Sequence, residues 1–429
     1  MENLIATSIL SKIRVVSLNS ASSDKVPFSW KKSLVATILI SSNIAWLFFF
    51  DNYFEMIFEN SVGTHLWISV SQAIFFGFIV VSAIIGALIN KKVSQRKLLS
   101  FWLLLGVFST GAMVVVEGIF FSLLFSALLG VSFGLGFPLS VVLIIDRTPI
   151  GKRGKISGFT MFGAFIVVFV ALGIVSFLDL GLIEILLIAM ILKATGFLTL
   201  ILDSCKRKIK KEISWKSILA QENFIKYFLP YILFNLASGL TNLIWAGLPP
   251  TPEYAAAYTL GSILQFIGTA VIALMSGFIS DRLGRKPPII IAVLLFAVSY
   301  AILGIATSEL SGIIHLTTLG VAWGFLMVVY LIIPGDLAQI RGVDQEKYYA
   351  LATVLPFAVY MSLSALPKTL EITAPANILS PILSIILFLS IIPILYATET
   401  LPLSKIRKRK IKEQIGKLEK IIKESKEDT

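Results

Sequence analysis

Charge is scarce in this chain and nearly absent from its apolar stretches. Of 429 residues, 14% are Asp, Glu, Lys or Arg, 56% are hydrophobic, and the mean hydropathy is +0.89. Ordinary cores cannot hide that much apolar surface, so a soluble globular protein is excluded and lipid becomes the solvent. Cys205 is the only cysteine, which excludes an intrachain disulfide. The two histidines, His65 and His315, are too few and too far apart in sequence for a metal site. No Gly-x-x-x-x-Gly-Lys-Ser/Thr loop occurs, and Gly151-Lys-Arg-Gly154-Lys155 has the wrong spacing, which argues against direct use of ATP. No catalytic constellation is visible, so the chain is not expected to be an enzyme, and no cofactor is implied. The start, Met1-Glu2-Asn3-Leu4, lacks a basic region and a small-residue cleavage site, which predicts that the first apolar stretch is retained.

What the chain does have is a series of apolar stretches, each about 20 residues, the length a helix needs to cross a bilayer. They fall at 33–50, 66–89, 98–116, 118–145, 157–178, 181–202, 224–248, 254–279, 288–307, 312–334, 348–367 and 376–397. The predicted class is therefore an all-α polytopic membrane protein with twelve transmembrane helices in two six-helix halves.

The net charge of +12 would suggest nucleic acid in a soluble protein. Here it sets orientation. Every second link, counted with both termini, carries 35 of the 37 Lys and Arg. The links on the other side carry only Lys368, and Lys193 lies inside a span. The basic links belong in the cytoplasm, so both termini are expected there, with the protein in the cell membrane. The opposite links hold acids, among them Asp51, Glu55, Glu309 and Glu371; Asp51 and Glu55 are expected in a solvated loop.

The longest internal polar link, Asp203 to Gln221, leaves six spans on each side. Features recur across it at an offset of about 190 residues: Gly86 with Gly277, Asp146 with Asp336, Arg153-Gly154 with Arg341-Gly342. Pressure for basic loops alone would repeat lysines and arginines, but not aspartates and glycines. The division is an arm at 1–32, a first half at 33–202, a linker at 203–223, a second half at 224–402 and a basic tail at 403–429.

The most distinctive link reads Gly277-Phe-Ile-Ser-Asp281-Arg282-Leu-Gly284-Arg285-Lys286-Pro287. Gly277 allows helices to approach closely, and Gly284 allows a backbone conformation closed to other residues. Asp281 can accept hydrogen bonds at the next helix start and pair with Arg282 or Arg285. A merely orienting basic turn would need neither the glycines nor the aspartate. The first-half counterpart, Gly86-Ala-Leu-Ile-Asn90-Lys91-Lys92, has asparagine in place of aspartate, and an amide cannot form an ion pair. After span 4 comes Asp146-Arg147-Thr-Pro149-Ile-Gly-Lys152-Arg153-Gly154, after span 10 Gly335-Asp336-Leu-Ala-Gln-Ile-Arg341-Gly342, and after span 12 Thr398-Glu399-Thr400.

The first of these links resembles the Gly-x-x-x-Asp-Arg-x-Gly-Arg-Lys signature of the major facilitator superfamily. The others resemble the Glu-x-x-Pro-x-x-x-Arg-Gly and Pro-Glu-Thr elements of its sugar-porter and organic-solute branch. The resemblance covers about residues 30–402. It implies a secondary transporter working by alternating access, with two parallel halves. It implies a cytoplasmic latch of Gly277, Asp281, Arg282, Gly284, Arg285, Lys286, Asp146, Arg153, Asp336, Arg341 and Glu399.

In that fold spans 1, 4, 7 and 10 line the cavity. Candidate pathway residues are Asn43, Asn235, Asn242, Trp245, Trp323 and Tyr330, with Gln265 on span 8 and Tyr360 on span 11. Amides and aromatic faces suit a neutral hydroxylated solute such as a sugar; the same residues also bind helices together. A lipophilic-compound exporter of the same fold and a sensor with little transport are the alternatives. No Asp or Glu lies in the interior of any span, so Lys193 is the one candidate for coupling or for binding an anion, unless it only snorkels. His315 is expected at the interface. Ile411, Ile415, Leu418 and Ile422 share a face of the tail among lysines, which predicts contact with anionic lipid headgroups. The expected partners are a small-molecule solute and membrane lipid, not nucleic acid, and a monomer is expected.

Overall fold

A stretch with no water around it must satisfy its backbone internally, which makes the apolar runs helical. A computed structural model of the chain describes residues 29–90, 92–202, 211–248, 251–364, 372–402 and 411. Among these residues no sheet forms, and a single bridge joins Lys211 to Val343. The arm at 1–28, the linker stretch with Cys205, the segment with Lys368 and Glu371, and the tail face of Ile415, Leu418 and Ile422 lie outside the described residues.

The first half contains α1 (Trp30–Asn52), α2 (His65–Ile89), α3 (Gln95–Ala112) and α4, which is broken into Ile119–Gly134 and Phe137–Arg147. It ends with α5 (Arg153–Leu178) and α6, broken into Leu182–Ala194 and Phe197–Leu202. The second half contains α7 (Glu222–Ala246), α8 (Pro252–Leu283) and α9 (Lys286–Ile305). It continues with α10, broken into Glu309–Tyr330 and Ile333–Ile340. Then come α11, whose pieces Glu346–Tyr349 and Leu355–Ser364 flank a π turn at Ala350–Val354, and α12 (Ala376–Tyr396). Among the described residues, eleven of the twelve are long and apolar enough to cross a membrane as continuous or nearly continuous helices.

Three differences from the sequence reading matter for the site. First, α8 runs on to Leu283, so Asp281 sits on its last turn and the link shrinks to a corner at Gly284. Gly284 has φ +112°, a conformation that side chains with a Cβ rarely adopt. Second, α1 reaches Asn52 and a short helix, Phe54–Val62, follows directly. Asp51 and Glu55 are therefore helical rather than in a solvated loop, and His65 Nδ1 approaches Glu55 at 3.6 Å. Third, His315 is not interfacial. It is fully buried between α9 and α10, with Nδ1 3.2 Å from Ser299 Oγ and its ring 4.5 Å from that of Tyr300.

The halves meet most closely where α5 crosses α8. A Cβ on Gly277 would lie 2.5 Å from Gly154 O, and one on Gly154 would lie 2.4 Å from Gly277 O. Backbone packs on backbone there, which only glycine permits. Gly277→Ala is expected to destabilise this crossing by about 1–3 kcal/mol through overpacking. It would be read as a lower melting temperature of the purified protein, whereas Gly173→Ala, which meets open space, should leave it unchanged.

Candidate functional site

The links that carry the glycines and aspartates converge on one end of the bundle, the face that carries the basic links. Asp336, at the start of the short segment Ile333–Ile340, is fully buried. Arg153 of the first half donates to one of its oxygens, and Arg285 Nε of the second half lies 3.4 Å from the other. Thr400 Oγ1 adds a contact at 3.4 Å. Arg153 also donates to Ile145 O at 3.0 Å and Thr148 O at 3.2 Å. Arg285 donates to Asp281 Oδ1 at 3.0 Å, to Ser280 O at 2.7 Å, and across the halves to Ile150 O at 2.9 Å. Both guanidiniums are buried and use most of their donors, which is what makes buried charge tolerable.

Asp281 caps a helix of the other half. Its two oxygens accept the N–H groups of Gly154 and Lys155, each at 2.9 Å, at the start of α5. An anion belongs there because the first N–H groups of a helix lack partners. The expectation that Asp281 would cap the following helix is corrected: Glu399 does so, accepting Arg285 N at 2.9 Å and Lys286 N at 3.2 Å. Lys286 Nζ in turn donates to Leu395 O and Ala397 O, both at 2.8 Å, at the end of α12. Arg282 and Arg341 are exposed and stand outside the buried network, and Asp146 is half-buried beside it. The pairing of Asp281 with Arg282 is thus set aside in favour of Arg285.

The first-half corner closes differently. Asn90 is buried and donates its amide to Glu346 at the start of α11. Where the second half places a carboxylate against a helix start, the first half places an amide against a helix that begins with its own carboxylate. The missing ion pair is replaced by a neutral donor matched to Glu346.

On the side of this network away from the basic face lies a cavity of about 350 Å³. Most of its wall comes from α7, α8, α10 and α11, with Phe48, Asp51 and Asn52 of α1 and Phe165 of α5 completing it. Four of the eight residues expected on the pathway line it: Asn242, Gln265, Trp323 and Tyr360. Asn242 donates to Ser364 O at 3.0 Å, whereas the Ser238 hydroxyl on the same wall is buried without a hydrogen-bond partner. Between cavity and network the path narrows to a pocket of about 40 Å³ walled by apolar groups, including Leu47, Phe133, Phe137, Met161, Leu331 and Phe357.

The other four expected residues stand elsewhere. Asn43 and Asn235 donate to carbonyls one turn back, Leu39 O and Tyr231 O, each at 2.7 Å. Tyr330 stacks on Tyr231 at 3.8 Å and donates to Tyr227 O at 2.6 Å. Trp245 packs on Gly312 and Tyr258. Lys193 is enclosed within the first half and does not line the cavity, so neither snorkelling nor solute binding describes it. The expected α4 contribution is confined to the narrow pocket; its glycines Gly130 and Gly134 pack on α2 instead. The residues missed are Tyr258, Ser262 and Thr269, which form one stripe with Gln265 on α8. Their spacing of three and four residues was a legible signal.

Asp336→Asn leaves two buried guanidiniums short of a counter-charge. A loss of about 3–5 kcal/mol is expected, seen as a large drop in melting temperature, while Arg282→Gln and Arg341→Gln stay within about 0.5 kcal/mol. Asn90→Asp sets two carboxylates together and should lower thermal stability. Adding Glu346→Gln to that variant should recover most of the loss in the same melting assay.

The sequence from 33 to 344 matches the family model of the Major Facilitator Superfamily. No curated protein sequence matches the chain. Among solved structures, the proton:xylose symporter XylE bound to 6-bromo-6-deoxy-D-glucose is similar, with a TM-score of 0.62 at 14% identity, covering 86% of this chain and 96% of that one. At such identity the likeness concerns the fold: two six-helix halves around a central path. With twelve helices, paired halves and a family model that spans residues 33–344, the chain belongs to the major facilitator superfamily.

Proposed function

We propose that this transporter carries a small polar organic solute, a sugar or similar hydroxylated metabolite, across the cell membrane by alternating access. Both termini lie in the cytoplasm, so the buried network is the cytoplasmic gate and the cavity opens outward. The observation that carries the reading is a cavity of about 350 Å³ lined by amides, hydroxyls and an indole, ending at an apolar constriction and a charge network that both join the halves. That volume falls in the range of about 300–1,000 Å³ usual for small-molecule sites.

The lining separates this reading from export of lipophilic compounds. Ser238, Gln265 and Tyr360 offer donors and acceptors that an apolar solute would leave unpaired, and the Ser238 hydroxyl has no partner within the protein. Aromatic faces of Trp323 and Phe165 suit the apolar face of a sugar ring. The similarity of the fold to a symporter bound to a modified glucose supports sugars as the first class to try. A solute sensor would share the cavity but would not move its ligand.

Purified protein should gain thermal stability with pentoses or hexoses, because a ligand of the folded state raises its apparent stability. In vesicles the same sugar should support counterflow. Gln265→Ala and Trp323→Ala should each raise KM about 10-fold, the effect of about 1.4 kcal/mol from one lost polar or stacking contact. Stabilisation without counterflow would assign the protein to sensing, and stabilisation by lipophilic cations alone would assign it to export.

A further inference from the structure

Lys193 occupies a chamber built for a cation inside the first half, and the gate and cavity described above make no use of it. Its Nζ donates to Ser132 O at 2.7 Å and lies 4.3 Å from the Trp46 ring centre and 4.8 Å from that of Trp102. Its stem passes Gly106, where a Cβ would come within 2.2 Å of Cε. Both indoles are fixed by their own hydrogen bonds. Trp46 Nε1 donates to Thr110 Oγ1 at 3.0 Å, and Trp102 Nε1 to Phe133 O at 3.1 Å.

Among the described residues no counter-ion completes this arrangement. The charged residues of the four surrounding helices stand near the helix ends: Lys31, Lys32 and Asp51 on α1, Arg96 and Lys97 on α3, Asp146 and Arg147 on α4, and Glu184 on α6. None of them forms an ion pair with Lys193. A buried ammonium is costly, and here two indole faces and a carbonyl take the place of water.

The position of that carbonyl gives the chamber a purpose. α4 is broken between Gly134 and Phe137, and the backbone N–H of Gly136, within the break, does not reach Ser132 O. Lys193 supplies the donor to Ser132 O instead, and the Trp102 indole donates to the neighbouring Phe133 O. Phe133 and Phe137, on either side of the break, wall the apolar constriction. Phe133 stacks on Trp46 at 6.4 Å and on Phe137 at 5.0 Å. A continuous run of contacts therefore leads from the ammonium to the constriction. The second half manages without such a charge. The residue matched to Lys193 at an offset of 191 is Ser384, whose hydroxyl donates to Ala297 O at 2.8 Å.

The geometry points to Lys193 as a positioning residue: its ammonium holds the break in α4 and, through Trp46 and Phe133, the aromatic wall of the constriction, so that removing the positive charge releases that wall. A neutral side chain that still donates to Ser132 O loses the attraction of both indole faces. The consequence for transport rests on the alternating-access reading, but the chamber can be tested without any solute.

The test uses full-length protein in which Cys205→Ser removes the native thiol and Val354→Cys places one in the constriction. Labelling by a water-soluble maleimide is followed beside tryptophan emission. With Lys193→Met or Lys193→Gln, labelling should quicken about 10-fold and the emission of Trp46 and Trp102 should shift. With Lys193→Arg, which keeps the charge, both should stay near the Lys193 values. Glutamine retains a donor without charge, so it carries the test if the methionine variant does not fold. Labelling of the glutamine variant at the Lys193 rate, with unchanged emission, would overturn the proposal. Failure of sugar counterflow would instead strike the transport reading and leave these rates standing.

Discussion

The whole closed end depends on a carboxylate shared between two guanidiniums that come from different halves. Asp336 accepts from Arg153 and faces Arg285, while Asp281 balances Arg285 and the start of α5. The buried cluster holds two cations and two anions, so it is neutral as a unit and strongly unbalanced if any member leaves. Attraction between these groups grows as water is excluded and falls toward that of an exposed pair, about 0–1 kcal/mol, once water enters. A network of that kind does not loosen gradually. It is either dry and bonded or wet and weak, which suits a gate with two positions.

Much of this was legible from the chain. The basic links and their alternation gave the number of helices, because lysine and arginine seldom stay on the far side of a membrane. The spacing around Gly277 and Asp281 marked the buried network that joins the halves. Partner choice was not legible, since Asp281 reaches Gly154 and Lys155 from 126 residues or more away. Nor was the difference between Arg285, buried, and Arg282, exposed, three residues earlier on the outside of the same corner. On the cavity side, a list of polar residues on four helices could not separate Asn242, which faces the space, from Asn235, which bonds its own helix. Seven residues are nearly two full turns, so those two side chains differ by more than rotation: they lie at different depths.

The two halves repeat an architecture without repeating its chemistry. One corner uses an aspartate on a helix start, and the other an asparagine on a glutamate. One core contains a lysine between indoles, and the other a serine. Duplicated bundles need only matching shapes to rock against each other, and their polar contacts are free to diverge so long as each stays satisfied.

The cavity wall extends that divergence to recognition. Four of its nineteen residues come from α1 and α5, and the rest from the second half. On the proposed transport reading, one bundle reads the solute while the other mainly covers it. On that reading, a change of diet would ask for altered side chains on α7, α8, α10 and α11 alone, leaving the covering bundle and the charged network between the halves untouched.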